Sequence, residues 1–103
     1  MPRGKSEPSK TAKGLKPGLS LRLYVAGDAP NSQAAVANAK SICETHFAGY
    51  ALEIVDMLTH PKRALEDGII VTPTLLKLSP LPAHRVIGNL SDTAQLLLAL
   101  GQK

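Results

Sequence analysis

Between residues 68 and 78 the chain reads GIIVTPTLLKL, a run of β-branched and aliphatic residues broken by Thr72-Pro73-Thr74. Proline removes one hydrogen bond from a strand ladder, so it is tolerated only at a sheet edge, a bulge or the start of a strand. A fold for this chain must bury the aliphatic residues on both sides of Pro73 and still set the proline at such a point. The run is expected to form one strand, Ile69 to Leu78, with Pro73 inside it.

The remaining pattern builds an α/β layer around that strand. LSLRLYVA, Leu19 to Ala26, alternates and then turns continuously apolar, the mark of a strand, and Gly27 closes it. Gly27, Asp28 and Pro30 shape a turn, and Asn31 or Ser32 offers a side-chain oxygen to cap the helix SQAAVANAKSICETHF. Ala35, Ala39, Ile42, Cys43, His46 and Phe47 recur there at helical spacing, with Gly49 as the stop. Tyr50 to Leu58 reads as a second strand, with Leu52 and Ile54 on one face and Val55 and Met57 on the other. A helical crossover makes the first two strands parallel.

Pro61 opens a short helix, PKRALEDG, at a first-turn position where its missing N–H does no harm, and Gly68 ends it. After the proline-containing strand, SPLPAH is a turn into a short fourth strand, Arg85 to Gly88, and Ser91-Asp92 caps a last helix through Leu100. The order is β-α-β-α-β-β-α. Two segments leave alternatives open. Leu96 to Leu100 is a continuous apolar run that suits a helix or a buried strand equally. In VIGNL, Gly88 and Asn89 both accept positive φ and permit a redirected chain.

The 103 residues allow one domain, expected at 19–101, behind an arm at 1–18. Hydrophobic residues make up 44%, but only two Tyr and one Phe are aromatic, so Ala, Val, Ile and Leu must fill the core. The net charge of +4 sits wholly in the arm, where Arg3, Lys5, Lys10, Lys13 and Lys16 face Glu7 alone; the remaining chain balances seven basic against seven acidic residues. Rich in Pro, Ser, Gly and Lys, the arm is expected to be disordered and solubilising. The body has no basic patch interleaved with aromatics, which argues against specific nucleic-acid binding. With no membrane span, no signal peptide and a single cysteine, the expectation is a cytoplasmic protein without disulfides.

The chemical candidates do not assemble into a site. Cys43 falls mid-helix on the apolar side, where packing is its expected role. His46, His60 and His84 lie on different elements without ligand spacing, so no metal is expected. Asp56 is expected at the exposed carboxyl end of its strand, and Glu66-Asp67 as a solvated helix end. No phosphate loop or nucleophile elbow occurs. The reading is a protein without catalytic residues or cofactor.

The element order, with a proline heading a strand, is similar to the thioredoxin fold, yet Ala29-Pro30-Asn31-Ser32 stands where a thioredoxin carries its paired cysteines. Three blocks, LRLYVAGDAPNS, YALEIVDMLTHP and IIVTPTLLKLSPLPAHRVIGNLSD, in this order over residues 21–92, resemble the KaiB family of bacterial circadian oscillators and the related sensor domain of the kinase SasA. The resemblance implies a thioredoxin-like fold, with a second family fold as the alternative for the second half. It implies docking on a KaiC-type ATPase, with KaiA or a histidine kinase as further partners, and self-association to a dimer or tetramer.

Docking residues carried over by the resemblance are Ala34, Ala51, Glu53, Lys77 and Arg85; fold-switch positions are Pro73, Gly88, Asn89, Ala99 and Gly101. Several of these depart from the family pattern. Members typically carry Lys at the position of Glu53, taken here as exposed, Arg near Ala34, an acidic residue at Asn89, and Gly-Leu-Asp where this chain has Ala99-Leu100-Gly101. Alanine is the better helix former by about 1 kcal/mol, so Ala99, with Gly101 as stop, should favour a terminal helix. Two functions stay open: a regulator of a KaiC-type ATPase, or an interaction module that has lost that partner and joins another, such as a histidine kinase. A third, a glutathione-binding relative using Ser32 and Pro73, lacks an activating group.

Overall fold

The computed structural model describes residues 19–101; the basic arm lies outside the described residues. Strand β1 (Leu19–Val25) is flanked on one side by β2 (Tyr50–Asp56) and on the other by β3 (Thr74–Ser79), and β4 (His84–Ile87) adds an edge, giving the order β2-β1-β3-β4. β1 and β2 run parallel, from Leu19 opposite Tyr50 to Val25 opposite Asp56. β3 is antiparallel to β1 and forms a hairpin with β4. Helices α1 (Pro30–His46), α2 (Pro61–Glu66) and α3 (Thr93–Ala99) complete the thioredoxin-like order expected from the sequence.

Successive side chains of a strand point to opposite faces, and β1 uses this to build two cores. Leu19, Leu21, Leu23 and Val25 pack with Ala35, Ala39, Ile42 and Cys43 of α1 and Leu96 and Leu100 of the α3 segment. The alanines let α1 lie close to the sheet. On the other face Tyr24 joins Val55, Ala64, Ile69 and Leu76 beneath α2. No helix among the described residues is long and apolar enough to cross a membrane.

Several boundaries differ from expectation. Pro73 precedes the strand: Ile69–Pro73 is a loop and β3 begins at Thr74, so the proline sits where its missing donor costs no ladder bond. The Thr72–Pro73, Ser79–Pro80 and Leu81–Pro82 peptide bonds are cis. β2 stops at Asp56 because its carboxylate takes the Gly27 and Leu58 N–H groups at 3.0 and 2.9 Å and turns the chain. Neither Asn31 nor Ser32 caps α1; both lie inside it, Pro30 opens it, and Ser32 Oγ accepts from Ala26 N at 3.0 Å instead. Phe47, already extended, ends α1 before Gly49.

The ambiguous second half resolves into a hairpin and a helix. Gly88 has φ +118, but Asn89 does not take a positive φ; the buried Leu90 does, at +65. Asn89 instead receives Asn38 Nδ2 on its carbonyl at 2.8 Å and Ser91 N on its side chain at 3.1 Å. Asp92, not Ser91, caps α3, its carboxylate accepting from Gln95 N at 3.0 Å. Ala99 is the last residue of α3, and Gly101 leaves it at φ +94. Removing the cap in Asp92→Ala should lower unfolding stability by about 1 kcal/mol. Urea denaturation checks it, and an unchanged midpoint would take the cap out of this account.

Candidate functional site

The face of the sheet under α2 carries a ring of charged and polar groups. Arg22 and Glu53 stand opposite each other in the parallel register of β1 and β2. Arg22 Nε donates to Glu53 Oε1 at 2.9 Å, and its Nη1 to Asp67 Oδ2 at 2.9 Å. The other oxygen of Glu53 takes Arg63 Nη1 at 2.7 Å. Tyr24 Oη lies 2.6 Å from Asp67 Oδ2 and 3.0 Å from the Arg63 carbonyl, so its one proton serves either acceptor. From β4, Arg85 donates to the carbonyls of Asp67 and Gly68 at 2.8 and 2.9 Å. The ring thus ties both ends of α2 to the sheet.

Its electrostatics follow from the pairing. The Arg63 guanidinium, and after it Arg22, outweighs burial and holds the Glu53 carboxyl down at about 2. Asp67 is lowered by the Tyr24 hydroxyl first and by Arg22 second. Burial, with the Asp67 carboxylate beside it, pushes Tyr24 up to about 12 and keeps it a donor. Burial works against the charge on Arg22, but Glu53 and Asp67 together raise its pKa.

Two expectations are corrected by this ring. Glu53 is not an exposed strand residue: its side chain keeps 18% of its accessible surface. Asp67 is not a solvated helix end but the partner of Arg22 and Tyr24, while Glu66 is exposed. Sequence reasoning missed Arg22, Tyr24, Arg63 and Asp67 as a group. One signal was available, since Arg22 and Glu53 are each the fourth residue of their strands, so a parallel register pairs them.

The other docking candidates lie outside this ring. Ala34 is half-buried on α1, and Ala51 is half-buried on β2 at the margin of the sheet. Lys77 is buried, at 4% exposure. A Cβ added to Gly101 would stand 3.8 Å from Lys77 Nζ, so the ammonium lies beside the carboxyl end of α3, where a cation opposes the helix dipole. Ala51 lies two residues before Glu53 on the same face of β2, and Glu53 and Arg85 are linked through Arg22 and Asp67.

A second feature of the same side is apolar and exposed. Leu58 follows β2, Ile70 and Val71 precede β3, and Ile87 pairs with Thr74, so all four lie at one end of the sheet; Leu65 projects from α2. Ile70 at 89% exposure and Leu65 at 78% do almost nothing for the core. The segment that carries them is nevertheless well held: Thr74 Oγ1 donates to the Val71 carbonyl, and Gly88 N to the Pro73 carbonyl at 3.0 Å. A fixed apolar surface beside half-buried ion pairs suits protein docking.

Among the described residues nothing comparable gathers reactive groups. Cys43 is buried, and burial pushes its thiol up to about 11, far from a nucleophile. Ser32, at the position of a thioredoxin cysteine, is buried and bonded to the backbone. No cluster of three or more His, Cys, Asp or Glu suited to a metal occurs among the described residues.

The depressed carboxyls give an acid signature. A carboxyl whose folded pKa lies below its unfolded value adds stability above the unfolded value and loses it as pH falls through the folded one. For Glu53 that window runs from about 4.5 down to about 2, and Asp67 acts in the same direction. Stability measured by urea denaturation should therefore fall across this range, and Glu53→Gln should flatten the fall. An equally steep profile in the variant would mean the ring is not its source.

Set beside known proteins, residues 22–102 match the KaiB domain. The circadian clock oscillator protein KaiB of Synechococcus elongatus is 51% identical over 81 residues, covering 78% of this chain and 79% of that one. The protein of the same name from Picosynechococcus is 48% identical over 87 residues and covers 84% of each chain. Among solved structures, the N-terminal domain of SasA from Synechococcus elongatus superposes with a TM-score of 0.69 at 27% identity, over 92% of this chain and 94% of that one. Chloroplastic thioredoxin z superposes with a TM-score of 0.70 at 17% identity, over 84% of this chain and 78% of that one, a likeness of fold alone. A thioredoxin-like sheet with Ala29 and Ser32 at the cysteine positions, together with these identities across four fifths of its length, has one reading: the chain belongs to the KaiB family.

Proposed function

We propose that the protein is a non-catalytic regulator that binds a KaiC-type ATPase and modulates its phosphorylation and ATPase cycle. The observation that carries this reading is the exposed apolar set Leu58, Leu65, Ile70, Val71 and Ile87 on a chain of this family. Such side chains, fixed in place beside charged neighbours, offer a partner apolar area at little ordering cost. In this reading the docking surface is centred on α2 and the loop before β3. Glu53 shapes it from beneath by holding that segment, while the exposed Arg85 holds the segment from β4 and borders the surface. Ala34 and Ala51 lie outside that centre, and Lys77 supports α3.

The family also frames the setting: action in the cytoplasm and self-association to a dimer or tetramer. A second reading, docking on a histidine kinase, draws on the likeness to the N-terminal domain of SasA. The two separate by experiment. Gel filtration with ATP present should show co-migration with the KaiC-type ATPase of the same organism. Leu65→Asp and Ile70→Asp, both at exposed positions, should weaken that complex about tenfold or more while leaving the denaturation midpoint in place. Separate migration at every nucleotide state, with capture by a histidine kinase instead, would overturn the first reading in favour of the second.

A further inference from the structure

Helix α2 has six residues and buries one of them, Ala64. A helix that short does not hold itself together in water. Its apolar anchor is small, since Ala64 and the following Ile69 meet only Tyr24, Val55, Leu76 and their half-buried neighbours. The opposite face of the sheet secures α1 and α3 with a much larger cluster. What α2 has in addition is the ring. Arg63 reaches Glu53, Asp67 reaches Arg22 and Tyr24, and Arg85 holds the two carbonyls that follow.

We propose that this ring is a latch: the segment from Pro61 to Val71 opens from the sheet as a unit, before β1, α1 and α3 unfold, and the ring sets how often it does so. Glu53 is the central member because its two oxygens serve two cations on different elements, Arg22 on the sheet and Arg63 on the helix. Without it, two guanidinium groups face each other with one carboxylate, Asp67, between them. The four ion-paired side chains, Arg22, Glu53, Arg63 and Asp67, keep between 18% and 37% of their accessible surface, so water enters as the segment lifts and salt weakens the closed form. Local units of this kind open at free energies below that of global unfolding.

The latch bears on docking because Leu65, Ile70 and Val71 ride on the segment it holds. Closed, it presents them in one arrangement; open, it scatters them. On the docking reading given above, a partner selects the closed latch and slows its opening.

Native-state hydrogen exchange on the full chain, without any partner, tests the latch by itself. The reporters are the amides of Ala64, Asp67, Gly68 and Ile69, bonded to the carbonyls of His60, Arg63, Leu65 and Ala64. The comparison set is Leu21 and Leu23 in β1. The α2 amides should exchange at lower free energy, with little dependence on denaturant, and faster in high salt than in low. Glu53→Gln should speed them about tenfold, and adding Arg63→Gln to it should speed them no further. A shared denaturant slope for both sets, or unchanged α2 exchange in Glu53→Gln, would overturn the latch. Failure to bind a KaiC-type ATPase would leave these amide rates as they are, so the two readings fail separately.

Discussion

A guanidinium in the middle of a central strand must be neutralised where it stands, and Arg22 is that group. β1 is hydrogen-bonded on both edges and covered on both faces, and the Arg22 side chain keeps only 25% of its accessible surface. Glu53 answers it from the neighbouring strand and Asp67 from the end of α2. Burying a charge is tolerable only when it is paired and hydrogen-bonded. The positions of β2 and α2 on this face are therefore not independent of each other. Tyr24, two residues along on the same face, places its hydroxyl on the same carboxylate and fixes the depth at which α2 lies.

Much of the fold was legible because it depends on local pattern. Leu19–Val25 and α1 follow from alternation and from alanines at helical spacing, and the structure moves their ends by a residue or two. The run containing Pro73 was harder, because a continuous apolar stretch does not say where pairing begins; the ladder starts after the proline, and Ile70 and Val71 are spent on the surface. The ring was not legible at all from composition. Arg22 and Asp67 are 45 residues apart, and Asp67 at the end of a polar helix looks like any solvated acid. Glu53 drew notice as a departure from the family pattern, but its cause, the Arg22–Arg63 pair, is a tertiary fact.

The thioredoxin-like fold places two loops, the start of α1 and the segment before β3, at one end of the sheet. A redox protein uses that end for its cysteines. Here Ser32 is turned inward to the Ala26 amide, and the neighbouring segment shows Ile70 and Val71 to solvent. The scaffold has kept its geometry and changed what it displays. Chemistry on a fold resides in the side chains of the site and not in the fold itself.

Leu90 carries one more consequence. Left-handed backbone costs a non-glycine residue roughly 1–2 kcal/mol, and a leucine tolerates it at φ +65 here only because its side chain is buried with Leu96 and Leu100. The strain and the burial are thus two sides of one bargain struck at the joint between β4 and α3. If α3 withdraws its leucines, Leu90 loses its reason to stay twisted and its backbone springs back toward ordinary geometry. The Asn38 tether on the Asn89 carbonyl then holds a loop that has lost its shape. The last helix and the joint before it therefore lean on the same three leucines, Leu90, Leu96 and Leu100.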